Sequence, residues 1–179
     1  DFDNASRFIS SWQPYNGVQL HGLEAVLNPW NIVLGLAVLF LARVTALLYF
    51  INNIDDTAAQ QRARKELPLN AILFVVLFVA YVIFLLLKSG LRYDPATGQF
   101  AEEQFLYLHN FLQMPVVLIF FLVGVLLVLY GIGATIFKKG YRKGIWFEGI
   151  GVVLAVLGLL LVAGWNNTAY YPSLADPQS

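Results

Sequence analysis

The stretch NIVLGLAVLFLARVTALLYFIN, Asn31 to Asn52, is apolar almost throughout and carries an arginine, Arg43, near its middle. Roughly 20 mostly apolar residues are enough for a helix to cross a bilayer. An arginine at the centre of such a helix costs about 2.5 to 3.5 kcal/mol on an insertion scale. How this run is read decides the class of the chain, because three more runs like it follow.

Hydrophobic residues make up 59% of the 179 residues and charged residues only 12%. Soluble domains carry about a quarter charged residues, so a membrane class is the first expectation. The net charge is zero, and no basic surface advertises nucleic acid. Cysteine is absent, which excludes disulfides, thiolate metal sites and cysteine nucleophiles. The opening DFDNASRF has no methionine and no basic leader before a short apolar core. It reads as part of a longer chain without a signal peptide.

The expected fold is an all-α membrane protein with four spanning helices: 30–51, 69–87, 115–137 and 145–165. Asn28-Pro29 makes a good cap with proline at the first helical position. Pro68 and Pro115 are read as heads of the second and third spans. The intervening parts are an outer segment 1–29, a basic loop 52–68, an outer loop 88–114, a basic loop 138–144 and an outer tail 166–179.

The two basic loops hold seven Lys/Arg (Arg62, Arg64, Lys65, Lys138, Lys139, Arg142, Lys143), and the opposite side holds three (Arg7, Lys88, Arg92). Positive charge concentrates in cytoplasmic loops, so both termini are expected on the outer side. Trp30, Tyr93, Trp165, Tyr170 and Tyr171 then fall near the outer boundary, and Tyr141 and Trp146 near the inner one. In EEQFLYLHNFLQMP, Phe105, Leu108 and Leu112 recur at helical spacing beside Glu102, Glu103 and Gln104. That pattern predicts a short amphipathic helix at the outer interface before the third span. YDPATGQ ahead of it reads as a turn.

The candidate site residues each have a plain alternative. His21 and His109 fall outside the outer face. They are weak candidates for a haem or metal pair, having no acidic or cysteine companions, and read first as interfacial polar residues; no metal site is expected. GIGVVL begins like a dinucleotide fingerprint but lacks its third glycine and its strand. Gly144, Gly151 and Gly158 instead recur every seven residues, as a packing face for a neighbouring helix does. NNT, Asn166 to Thr168, fits a glycosylation acceptor but reads more simply as a polar collar. Glu148 lies one turn into the fourth span, either on a proton route, paired with a cation, or wet at the interface. Arg43 is roughly 13 Å of rise from the inner end of its span, and helical side chains lean toward the N-terminus. It is therefore expected to face protein, meeting a polar or acidic partner, with Glu148 the one acid of comparable depth.

LNPWN at the head of the first span and NNTAYYPS after the last, with GLEAVLNPWNIVLGLAVLFLARV and KGIWFEGIGVVLAVLGLLLVAGWNNTAYYPSLADPQS around them, resemble subunit II of cytochrome bd-type quinol oxidases, in the version of Bacteroides-like bacteria. The resemblance covers essentially the whole chain. It implies spans four to seven of about eight in a multi-pass subunit of the bacterial inner membrane. It implies quinol oxidation coupled to reduction of dioxygen to water, with haems b and d on a partner subunit I. On this resemblance the fragment binds no cofactor, carries no catalytic residue and is inactive alone; its work is to pack against subunit I. The family assigns no role to Arg43. A rival reading is a small transporter or channel with Arg43 and Glu148 lining the path, although broken helices and inverted repeats are not evident.

Overall fold

The computed structural model describes residues 26–94 and 99–169. The order of elements is α1 (Pro29–Asn53), α2 (Thr57–Leu87), β1 (Gly90–Asp94), β2 (Gln99–Glu103), α3 (Leu106–Gln113), α4 (Pro115–Phe137), α5 (Gly144–Gly164) and β3 (Thr168–Ala169). The four long helices are each long and apolar enough to cross a membrane. The chain is thus a multi-pass membrane protein built as a helical bundle.

Local chemistry sets the helix starts. The Asn28 side chain accepts a hydrogen bond from the Trp30 amide at 3.0 Å, with Pro29 at the first position of α1. Proline suits that position because the amide it lacks would have no partner in the helix. Asp56 caps α2 in the same way, accepting from the Ala58 amide at 2.9 Å.

Two features depart from the sequence expectation. First, α2 starts at Thr57, and Pro68 lies inside it rather than at its head. The segment TAAQQRARKEL is made mostly of strong helix formers behind an Asp cap. Proline inside a helix removes one backbone bond and costs about 3 kcal/mol. Burial of Ala63 and Leu67 before the proline and of Ala71 after it offsets that cost. Second, the fold is not purely helical. β1 and β2 form an antiparallel hairpin and β3 adds to the free edge of β1, giving the order β2-β1-β3. Of the expected turn YDPATGQ, Tyr93 and Asp94 end β1 and Gln99 begins β2, and residues 95–98 lie outside the described residues. Glu102 and Glu103, expected beside a helix, belong to β2. Phe105 adopts a left-handed φ of 56° and separates strand from helix. The buried face of α3 is Leu106, Tyr107, Asn110 and Phe111, while Phe105, Leu108 and Leu112 point away from the bundle.

The helices pack as two hairpins, α1 with α2 and α4 with α5, joined mainly where α1 meets α5. One apolar core lies at the end bearing the basic loops (the basic end) and contains Val44, Leu48, Ile51, Leu67 and Phe74. A second lies toward the sheet end around Tyr107, Phe111, Phe121 and Val162.

Glycines bring α4 and α5 together. A Cβ on Gly131 would lie 2.5 Å from the Gly144 carbonyl oxygen, and one on Gly151 would lie 2.6 Å from that of Gly124. One on Gly158 would meet Phe121 Cβ at 2.9 Å. Thus Gly144, Gly151 and Gly158 of α5 face Gly131, Gly124 and Phe121 of α4. In hydrocarbon no hydrophobic effect drives two helices together, so close backbone approach and its dispersion contacts carry the association. Gly149 faces open space within 4 Å. We expect Gly151→Ala to destabilise the bundle by about 1 to 3 kcal/mol through overpacking, whereas Gly149→Ala does not destabilise it. Thermal unfolding in detergent, followed by circular dichroism, checks the contrast.

Candidate functional site

The polar side chains of the bundle gather at four places. At the basic end two arginines close helix termini. Arg64 of α2 donates to the Thr135 carbonyl at 2.9 Å and to the Tyr141 carbonyl at 2.7 Å. Arg142 donates to the Ile51 and Asn52 carbonyls, both at 3.0 Å, and pairs with Asp55 at 2.9 Å. The last carbonyls of a helix have no partner within it and carry partial negative charge. Each guanidinium therefore caps the end of a neighbouring helix, α4 by Arg64 and α1 by Arg142.

One turn further in, Glu148 of α5 is fully buried. Its Oε1 accepts from the Thr45 hydroxyl of α1 at 2.6 Å, and its Oε2 has no partner among the described residues. Thr45 Oγ1 also lies 3.0 Å from the Leu41 carbonyl oxygen. A hydroxyl has one proton, so Thr45 donates to the carboxyl group or to its own helix backbone, one at a time. The glycine contact shapes this place too: a Cβ on Gly131 would lie 2.8 Å from the Glu148 amide nitrogen.

Arg43 lies two positions before Thr45, about 200° around the helix at 3.6 residues per turn. It meets α2 instead of α5. Its Nε donates to Asn70 Oδ1 at 2.7 Å, and Asn70 Nδ2 donates to the Glu66 carbonyl at 2.8 Å. Asn70 is buried, and Arg43 is exposed on the surface of the chain. Arg43 and Glu148 are therefore not brought together: the acid goes to Thr45 and the cation to Asn70.

At the sheet end, buried Asn110 of α3 is a hub. It donates to the Val162 carbonyl at 3.0 Å and to Thr168 Oγ1 at 2.6 Å, and accepts from Asn166 at 3.1 Å. Arg92 of β1 reaches Asn110 at 3.3 Å and ion-pairs with Glu103. His109 Nδ1 lies 2.6 Å from the other Glu103 oxygen. Asn166 and Asn167 take left-handed φ of 60° and 57°, which asparagine tolerates better than most residues. The NNT triplet is thereby the turn into β3, tied by Asn166 to Gln113 at 2.6 Å. His21 lies outside the described residues.

Sequence reading missed Thr45, Asn70, Asn110, Arg64 and Arg142 as structural polar groups. Asn70 and Asn110 did carry a signal. Each is an amide within an apolar context, where an unsatisfied polar group is costly and so implies a partner.

A family model for the cytochrome bd terminal oxidase subunit II matches residues 7–178. The chain belongs to that family. No curated protein and no solved structure matches it. A cytochrome bd subunit II is a component of an oxidoreductase complex with a subunit I, and the family implies haem groups on that partner.

The described residues of this subunit II do not fit a haem. Their single histidine, His109, is about half exposed and engaged by Glu103, and no cluster of three His, Cys, Asp or Glu side chains occurs among them. The His109–Glu103 contact serves the sheet end instead. Hydrogen bonds from Arg92 and then His109 hold the Glu103 carboxyl below the ordinary glutamate range. A depressed carboxyl stabilises the fold above its ordinary pKa and loses that contribution as pH falls through the depressed value. We expect the β1–β2 hairpin to stay protected down to the ordinary glutamate range and to open below it. Glu103→Gln should already expose the hairpin at neutral pH. Amide hydrogen exchange of residues 90–94 across a pH series checks both.

Proposed function

We propose that this chain is the part of a non-haem subunit II that packs against and supports the haem-bearing subunit I of a quinol oxidase. The complex oxidises quinol and reduces dioxygen to water. The observation that carries the proposal is the family match across residues 7–178. The packing is in keeping with it: only 17% to 28% of each spanning window is buried within the chain. Wide apolar faces are thus left for lipid and for a partner subunit.

In this reading the chain lies in the bacterial inner membrane with its basic end in the cytoplasm. The distribution of Lys and Arg supports that orientation. Two of those cations, Arg64 and Arg142, also cap helices, so they bind the loops to the bundle as well as marking the side. The face of α3 bearing Leu108 and Leu112 lies at the outer interface. No haem sits on this chain, and alone it turns over no quinol. The rival transporter reading asks Arg43 and Glu148 to line one path. Arg43 of α1 turns to α2, whereas Glu148 of α5 meets Thr45 on the opposite side of α1, and this favours the subunit reading.

Co-expression of the complete subunit II with its subunit I tests this. The expected result is a co-purified complex with haem absorption and quinol-dependent oxygen uptake, and neither from this chain alone. Recovery of no haem-bearing partner, together with solute flux in liposomes that Arg43→Leu abolishes, would establish the transporter instead.

A further inference from the structure

Arg43 is the intramembrane cation whose hydrogen bonding is left incomplete. Its Nε is bound to Asn70, and neither terminal nitrogen, Nη1 nor Nη2, has a partner among the described residues. A guanidinium has five N–H donors and cannot be deprotonated in a protein. The charge and the remaining donors must therefore be met by a group outside the described residues.

The surroundings define what can meet them. Arg43 stands on a face of α1 with Leu36, Leu39 and Phe50, all exposed and apolar. On α2 it is level with Asn70, six residues from Arg64, or about 9 Å of rise inward from the caps of the basic end. While its Nε holds Asn70, the side chain cannot extend to a headgroup at that end. Toward the N-terminus, where helical side chains lean, Pro29 at the head of α1 is fourteen positions away, about 21 Å of rise.

Asn70 is itself held by the Glu66 carbonyl, so the acceptor of the Arg43 Nε is fixed in place and the Nη1–Nη2 edge keeps its donors for another group. That edge matches the two oxygens of a carboxylate, a bidentate geometry that a neutral carbonyl does not offer.

Resting on the subunit reading above, we propose that Arg43 is the docking cation of this chain. A carboxylate on a membrane helix of subunit I meets it in the apolar belt, and the α1 face of Leu36, Leu39 and Phe50 is the contact surface around that pair. Asn70 acts as a positioning residue that holds the Nε. A charge pair of this kind, fully desolvated once assembled, discriminates strongly between the right partner and any neutral neighbour.

The test uses the complete subunit II co-expressed with subunit I. Benzoylphenylalanine in place of Leu39, beside Arg43, is photo-activated in the assembled complex. The expected adduct is to a spanning helix of subunit I that carries an acid at the same depth. Arg43→Gln should then weaken the complex on the order of thirtyfold, as loss of one partner of a buried charge pair does. Arg43→Lys should weaken it less. Arg43→Glu with the identified acid changed to Arg should restore assembly. Circular dichroism of the Arg43→Gln subunit should match wild type, since among the described residues the Arg43 side chain hydrogen-bonds to Asn70 alone.

Adducts only to lipid, to another span of subunit II or to a second copy of this chain, in a complex that otherwise forms, would overturn the docking site and leave the subunit reading standing. So would a Glu66→Gln variant that loses assembly as Arg43→Gln does, because the cation would then belong to Glu66. Failure of the wild-type subunits to co-purify would sink both.

Discussion

Hydrocarbon offers no hydrogen-bond partner, so any polar group that enters it must find one within protein. The bundle is arranged around that constraint. Backbone groups are satisfied along the helices, and the exposed carbonyls at two helix ends are closed by guanidinium groups from other elements. Arg64 closes α4, and Arg142 closes α1. Each cap also ties two segments distant in sequence, so satisfying the backbone and joining the helices are the same contact. At the other end Asn110 does comparable work, binding α3, the end of α5 and the start of β3 through one amide.

The spanning helices were legible because they rest on composition and length alone. The same holds for the glycine stripe of α5, whose spacing of seven is visible along one helix. Its mates Gly124 and Gly131 also stand seven apart, but which stripe meets which depends on how the hairpin closes. The extension of α2 past Pro68 was hidden because proline is a sound local signal for a helix start. Tertiary burial of Ala63 and Leu67, together with Arg64 reaching across to α4, outweighed it. The sheet was hidden for a different reason. Its strands span five residues or fewer in a polar loop, and short strands gain stability from pairing rather than from any pattern of their own.

The intramembrane charges show where periodicity stops short. Depth along a helix follows from counting residues, and counting put Arg43 and Glu148 near one level. Direction around the helix is a separate quantity. Arg43 and Thr45 are two residues apart and therefore face nearly opposite ways. Thr45 carries no charge to draw attention, yet it is the residue that meets the acid. A threonine hydroxyl can bond the backbone of its own helix or turn to a second group, which makes it an inconspicuous partner.

α1 is consequently a two-sided helix at this depth. On one side a buried carboxyl group is met by Thr45 and lies beside the glycine contact of α4 with α5. On the other side a cation is held by one amide and left with an open edge. The carboxyl group finds a hydroxyl partner on a neighbouring helix of the same bundle. A guanidinium keeps its charge under all ordinary conditions, so enclosure by neutral groups inside a small bundle would leave the charge uncompensated. Placing Arg43 at the surface leaves that compensation to whatever lies beside these helices, while Asn70 holds the Nε.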